Sequence, residues 1–223
     1  MFIYQKDGKI RITFDDNKPV NNPAINLDLK EQKLIVNDEP IEHVVEDKLV
    51  DDVVLQTAEV VDFAKTIVLD GHKISLPDDT AGDGVYHVVE GGYLTINGDG
   101  IIDGVGKNIY NMVIWADGGH VVINGGTFTN RGAKADVDPT HFDLIYAKNG
   151  GIVEINAGYF DCETPKWTLN SHDTKKGKFI VKGGSFVGFD PSRAETEPGG
   201  VTNFVAEGYK VVCKDNIYTV IKN

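Results

Sequence analysis

Long apolar stretches are missing from this 223-residue chain. No run approaches the roughly 20 residues that a membrane-spanning helix requires, so no membrane insertion is expected. Cysteine is scarce: Cys162 and Cys213 stand alone without a metal-type spacing, and both are expected to be reduced packing residues. Positive charge is in short supply, with 22 Lys and Arg against 34 Asp and Glu and a formal net charge of −12. Nucleic acid and polybasic membrane contacts need the opposite balance, so neither is expected among the partners. Residues 1–14 carry Lys6, Asp7, Lys9 and Arg11 where a signal peptide would be apolar, which leads to the expectation of synthesis and folding in a cytoplasm. Signatures of chemistry are also lacking. The six histidines include no HExxH pair, and there is neither a phosphate loop nor a Gly-x-Ser-x-Gly elbow. No cofactor or metal is expected.

Glycine, by contrast, is plentiful and periodic. One template recurs at Gly91-Gly92-Tyr93-Leu94-Thr95-Ile96-Asn97, Gly118-Gly119-His120-Val121-Val122-Ile123-Asn124, Gly150-Gly151-Ile152-Val153-Glu154-Ile155-Asn156 and Lys176-Gly177-Lys178-Phe179-Ile180-Val181-Lys182. The equivalent residues Ile96, Ile123, Ile155 and Val181 lie 27, 32 and 26 positions apart. Repeats of this length with strand alternation inside them mark a solenoid whose stacked coils share one core. The alternation turns Leu94, Val121, Val153 and Phe179 inward with the isoleucine set, and Thr95, Val122, Glu154 and Ile180 outward. Phe128, Phe160 and Phe186 align as an inner stack, with Ile101 in the matching place. Residues 85–89, 112–116 and 144–148 supply a further strand before each corner. Asn97, Asn124 and Asn156 read as a side-chain amide ladder along the bend. The fold class is all-β: a right-handed, single-stranded parallel β-helix of about five to six coils over residues 66–223.

The preceding residues differ. Residues 1–42 alternate in short runs such as Ile10-Arg11-Ile12-Thr13-Phe14 and Lys33-Leu34-Ile35-Val36, punctuated by turn residues, and read as a small β module for attachment. Residues 43–65 form a linker. Leu49, Val50, Val53, Val54, Ala58, Val61 and Phe63 make a helical stripe after acidic Glu46 and Asp47, while the many valines pull toward strand. A short helix capping the solenoid's open end is the expectation.

The segment Gly183-Gly184-Ser185-Phe186-Val187-Gly188-Phe189-Asp190-Pro191-Ser192, followed by Thr202-Asn203-Phe204-Val205-Ala206-Glu207-Gly208-Tyr209-Lys210-Val211, resembles the closing part of short β-helical proteins of tailed bacteriophages and prophages. The resemblance covers roughly residues 66–221. It implies a structural virion protein, such as a head fibre, a capsid decoration protein or a tail-associated fibre, assembled in the host cytoplasm. Capsid or tail proteins are then its expected partners. It implies no catalytic residue.

Other roles rest on single side chains. Trp115 and Tyr146, at near-equivalent places in successive coils, are the candidates for contact with a host-surface glycan. Outward Val122, Ile152 and Ile180 are the candidates for lateral association into a trimer or dimer. The alternative function is a carbohydrate-binding or polysaccharide-degrading β-helix, which would need two carboxylates on one cleft. Asp99, Asp103, Asp117, Asp143, Glu154 and Asp161 qualify by position, but so acidic a chain places such pairs together by chance. Lys134, Asp136, Asp138 and Asp143 lack the turn glycine and terminal glutamate of an EF-hand loop, and read as a solvated turn. No enzymatic activity is expected.

Overall fold

The computed structural model describes the chain except residues 1, 7–8, 15–17, 21–24, 29–32, 37–38, 43–44, 78–83, 105–111, 132–141, 173–175 and 198, with side chains from residue 46 onward. It divides into two compact units, Met1–Val44 and Val45–Asn223. In the first unit, β1 (Phe2–Lys6), β2 (Lys9–Phe14) and β3 (Lys18–Val20) form one antiparallel sheet. A second is made by β4 (Ile25–Asp28), β5 (Lys33–Val36) and β6 (Glu39–Glu42).

The second unit is a parallel β-solenoid of about four turns. Its first coil comprises β7 (Val45–Lys48), β8 (Val53–Val54) and β9 (Glu59–Val61). The next two coils are β10 (Ala64–Val68), β11 (Lys73–Ser75) and β12 (Tyr86–Val89), then β13 (Tyr93–Asn97), β14 (Ile101–Asp103) and β15 (Ile114–Asp117). In the following coils one long strand bends through the corner to serve two faces: β16 (His120–Thr129) precedes β17 (Ile145–Lys148), and β18 (Ile152–Asp161) precedes β19 (Leu169–Ser171). β20 (Lys178–Val181) and β21 (Ser185–Val187) begin a coil that is not completed.

The helix expected over residues 43–65 does not form among the described residues of that segment; they make β7–β9 and lead into β10. Val53 lies beside Ile74 and Val61 beside Val88, so the apolar spacing read as a helical stripe is that of strands joined by corners. Leu49, Val53 and Leu55 pack against the common core. At the other end the winding stops short of five to six coils because the chain reverses. β25 (Ile217–Lys222) pairs antiparallel with β21, and β24 (Tyr209–Lys214) pairs with β25. Asp215 and Asn216 join them with φ of 50° and 62°, the conformation of a two-residue type I′ turn, for which Asp and Asn are suited. Before this hairpin, Phe204 tilts against Phe179 and Val205 bridges to Val181, so the segment Asn203–Tyr209 closes that end of the core.

Register follows the repeat. Leu94, Val121, Val153 and Phe179 are successive partners, as are Ile96, Ile123, Ile155 and Val181. All eight are buried. Phe128, Phe160 and Phe186 stack with centroids 5.0 and 4.7 Å apart. The residue beside Phe128 in the preceding coil is Ile102, not Ile101, which is 39% exposed. The corner there runs one residue longer, so counting from the asparagine lands one place early. Cys162 belongs to the core, but Cys213 lies exposed on β24 and is no packing residue.

The asparagine ladder forms: Asn124 Nδ2 donates to Asn97 Oδ1 at 2.9 Å, and Asn156 Nδ2 donates to Asn124 Oδ1 at 2.8 Å. Asn124 is the shared member, and Asn124→Ala removes both bonds. Because the bonds are exposed, the expected loss is about 1 kcal/mol, read from urea unfolding midpoints. Asn97→Ala, which removes one bond, is expected to cost about half as much.

Candidate functional site

The solenoid's third face, β9-β12-β15-β17-β19, brings together a cluster of chemically capable side chains. Alternation buries Tyr86, Val88, Ile114, Ala116, Ile145, Ala147 and Leu169 and turns the residues between them outward. The result is a row of Val60, His87, Trp115, Tyr146 and Asn170, each beside the next in register. Parallel in-register strands place like positions about 4.8 Å apart, within stacking distance for flat rings. His87 and Trp115 accordingly stack at 4.0 Å with 2° between planes.

From the other neighbouring strand, Lys148 places its ammonium 4.3 Å from the Trp115 ring centroid and 5.8 Å from that of Tyr146. Trp115 is thus flanked by an imidazole on one side and an ammonium on the other. Asp117 faces His87 Nε2 at 3.2 Å and accepts from Asn149 Nδ2 at 2.5 Å. The two residues singled out for glycan contact, Trp115 and Tyr146, are neighbours on this face and both are half-buried. Among the described residues, buried Trp115 Nε1 has no hydrogen-bond partner.

Toward β19 the face becomes acidic. Tyr146 donates its hydroxyl to Glu197 Oε2 at 3.2 Å, and Asn170 Nδ2 donates to Asp143 Oδ1 at 3.1 Å. Asn170 is fully buried, and its Oδ1 has no partner among the described residues. Burial, together with the Glu197, Asp143 and Asp117 charges, holds the Tyr146 phenol well above its ordinary range. Asp143 keeps some surface, but its carboxyl is enclosed, and burial pushes it up to about 8; the Asn170 bond opposes this and the Glu197 charge adds to it.

The consequence for stability is a pH dependence of definite sign. Between about pH 4 and pH 8 folded Asp143 holds a proton that the unfolded chain has released, so its ionisation weakens the fold as pH rises through this window. Asp143→Asn is expected to gain stability relative to the parent between pH 5 and pH 8. Denaturant midpoints of both chains across that range check it; a constant difference would place the carboxyl in solvent.

The other candidates are dispersed. Asp103 and Asp161 lie on the second face, ion-paired to Lys73 at 2.6 Å and Arg131 at 2.8 Å. Glu154 lies on the first face, 2.9 Å from Lys182 Nζ and 3.2 Å from His120 Nε2, and the Lys182 hydrogen bond holds its carboxyl below the usual range. Asp99 is exposed at a corner. Asp117 and Asp143 border the third face, Asp117 on β15 and Asp143 just ahead of β17. Lys134, Asp136 and Asp138 lie outside the described residues, and among the described residues no group of three or more His, Cys, Asp or Glu is placed to hold a metal ion.

Val122, Ile152 and Ile180 all face outward on the first face and are half-buried, with Glu154 standing between Val122 and Ile180. Sequence reading missed Asn170 and Glu197. Asn170 follows the 3-10 turn Pro165–Trp167, which hides its strand, and Glu197 comes from outside the repeat. Comparison with protein-family models, with curated proteins and with solved structures finds no match to the chain.

Proposed function

We propose that the chain is a structural protein of a tailed-bacteriophage particle, fixed to capsid or tail through its N-terminal unit and displaying the solenoid, read as right-handed, as a head fibre, decoration or tail-associated element. The sequence resemblance over roughly residues 66–221, carried by residues 183–192 and 202–211, supports this reading, and one structural observation carries it: the two ends of the solenoid are finished differently. At the C-terminal end, β24 and β25 cover β21 with an antiparallel hairpin and Phe204 closes the core. At the first coil, β7 and β9 are the outermost strands of their sheets. Solenoids require a polar cap where they meet solvent, so an end finished by a cap suits display and an unfinished end suits attachment.

The experiment is mass spectrometry and antibody labelling of gradient-purified particles from the phage that encodes the chain. The chain is expected to remain with intact particles at fixed stoichiometry. Its recovery only in the unassembled fraction would overturn the reading.

A further inference from the structure

We propose that the first coil is a docking edge for an extended segment of a partner protein in which lysine or arginine alternates with apolar residues. The inference rests on the reading of the first-coil end as the attached one, and names the chemistry that would hold it there.

The backbone comes first. Among the described residues β7 pairs with β10, β8 with β11 and β9 with β12, and with no other strand. Among the described residues, each of the three faces therefore ends in a strand whose outward amides and carbonyls have no ladder partner, which is the template that strand addition uses. Apolar surface lies at the same place: Val50, Val54 and Val60 are 79%, 54% and 55% exposed. Beside them an open pocket of about 410 Å³ is lined by apolar Leu49, Leu55, Ile67 and Ile74 and, on its charged side, by Lys65 with Asp47 and Glu59.

Charge selects the occupant. Glu46, Asp51 and Asp52 are exposed in this coil. The neighbouring cations are already engaged, Lys65 by Asp47 at 2.8 Å and by Glu59, and Lys48 by Asp70 at 3.0 Å. An incoming strand with alternate basic side chains would meet the acidic rim, while its apolar side chains entered the pocket. A second copy would instead set Glu46 and Asp51 against the same residues, and like charges in juxtaposition oppose docking.

The test titrates the full chain with a fluorescent ten-residue peptide of alternating valine and lysine. The controls are a valine–glutamate peptide and a backbone N-methylated valine–lysine peptide. Micromolar binding of the first peptide alone is expected, weakened at least about tenfold by Glu46→Lys with Asp51→Lys. Amide hydrogen exchange should slow at Glu46 and Lys48 on binding. Equal binding of the glutamate peptide, or no binding, would overturn the proposal. So would amides of Glu46 and Lys48, which point away from β10, already protected in the peptide-free chain, since the edge would then be covered by the chain itself or by a second copy. Failure here leaves particle association untouched, while absence from particles removes the functional reading and leaves the peptide result standing.

Discussion

Gly151→Ala is expected to destabilise the solenoid by at least about 3 kcal/mol, beyond the ordinary range for overpacking. A Cβ at Gly151 would lie 2.1 Å from the carbonyl oxygen of Ala116 and 2.7 Å from its carbonyl carbon. Both atoms are backbone of the preceding coil, so no rotamer change relieves the contact; the coils must separate. Their separation would strain the bonds from Ile152 N to Gly119 O and from Lys178 N to Gly151 O. Gly150→Ala is the control. Nothing lies within 4 Å of its Cβ, but φ is +89°, so its cost is conformational, about 1–2 kcal/mol. Urea unfolding of the two variants separates the mechanisms. If Gly150→Ala proved as damaging as Gly151→Ala, close coil approach would not be the reason for the second glycine.

That contrast explains why the repeat was legible. The first glycine of the pair turns the chain and the second lets coils approach: Gly92, Gly119 and Gly177 have Cβ positions 2.1, 2.5 and 1.9 Å from carbonyl oxygens of the preceding coil. The turning role tolerates substitution, and Lys176 fills it with φ of 59°. The approach role does not, so glycine persists at Gly177 where its partner is lost. Period-two alternation then set the inner and outer rows, and the amide ladder followed from the asparagine spacing.

What escaped reading lies where this constraint is relaxed. Residues 45–61 have no coil before them to approach, so no glycine pair marks their corners, and valine spacing alone imitates a helix. The Asp99 corner hides one extra residue and shifts Ile101 to the surface. On the third face, Trp115 and Tyr146 could be paired because they sit in the repeat. Their company could not: Lys148 between the rings was visible only as a charge, and Glu197 arrives from a segment with no repeat partner. The Asp215–Asn216 turn between alternating runs was the available signal for the closing hairpin.

Ile155→Ala is expected to cost about 2–5 kcal/mol, the range for truncating a buried isoleucine. The side chain is fully buried, with Ile123 and Val181 as register neighbours in the adjacent coils, so a cavity would open between two layers of the core. Neighbouring strands are locked by the ladder and cannot close around it, which favours the upper half of the range. Glu154, one residue earlier, points the other way. Its ion pair with Lys182 and its contact with His120 lie at the surface with a quarter of the side chain exposed, so Glu154→Ala should cost under about 1 kcal/mol. The pair tests register directly, since a one-residue slip would exchange the two faces. Denaturant titration showing Glu154→Ala to be the more damaging change would mean that the coils are aligned one residue out of step, and the outward rows would have to be reassigned with them.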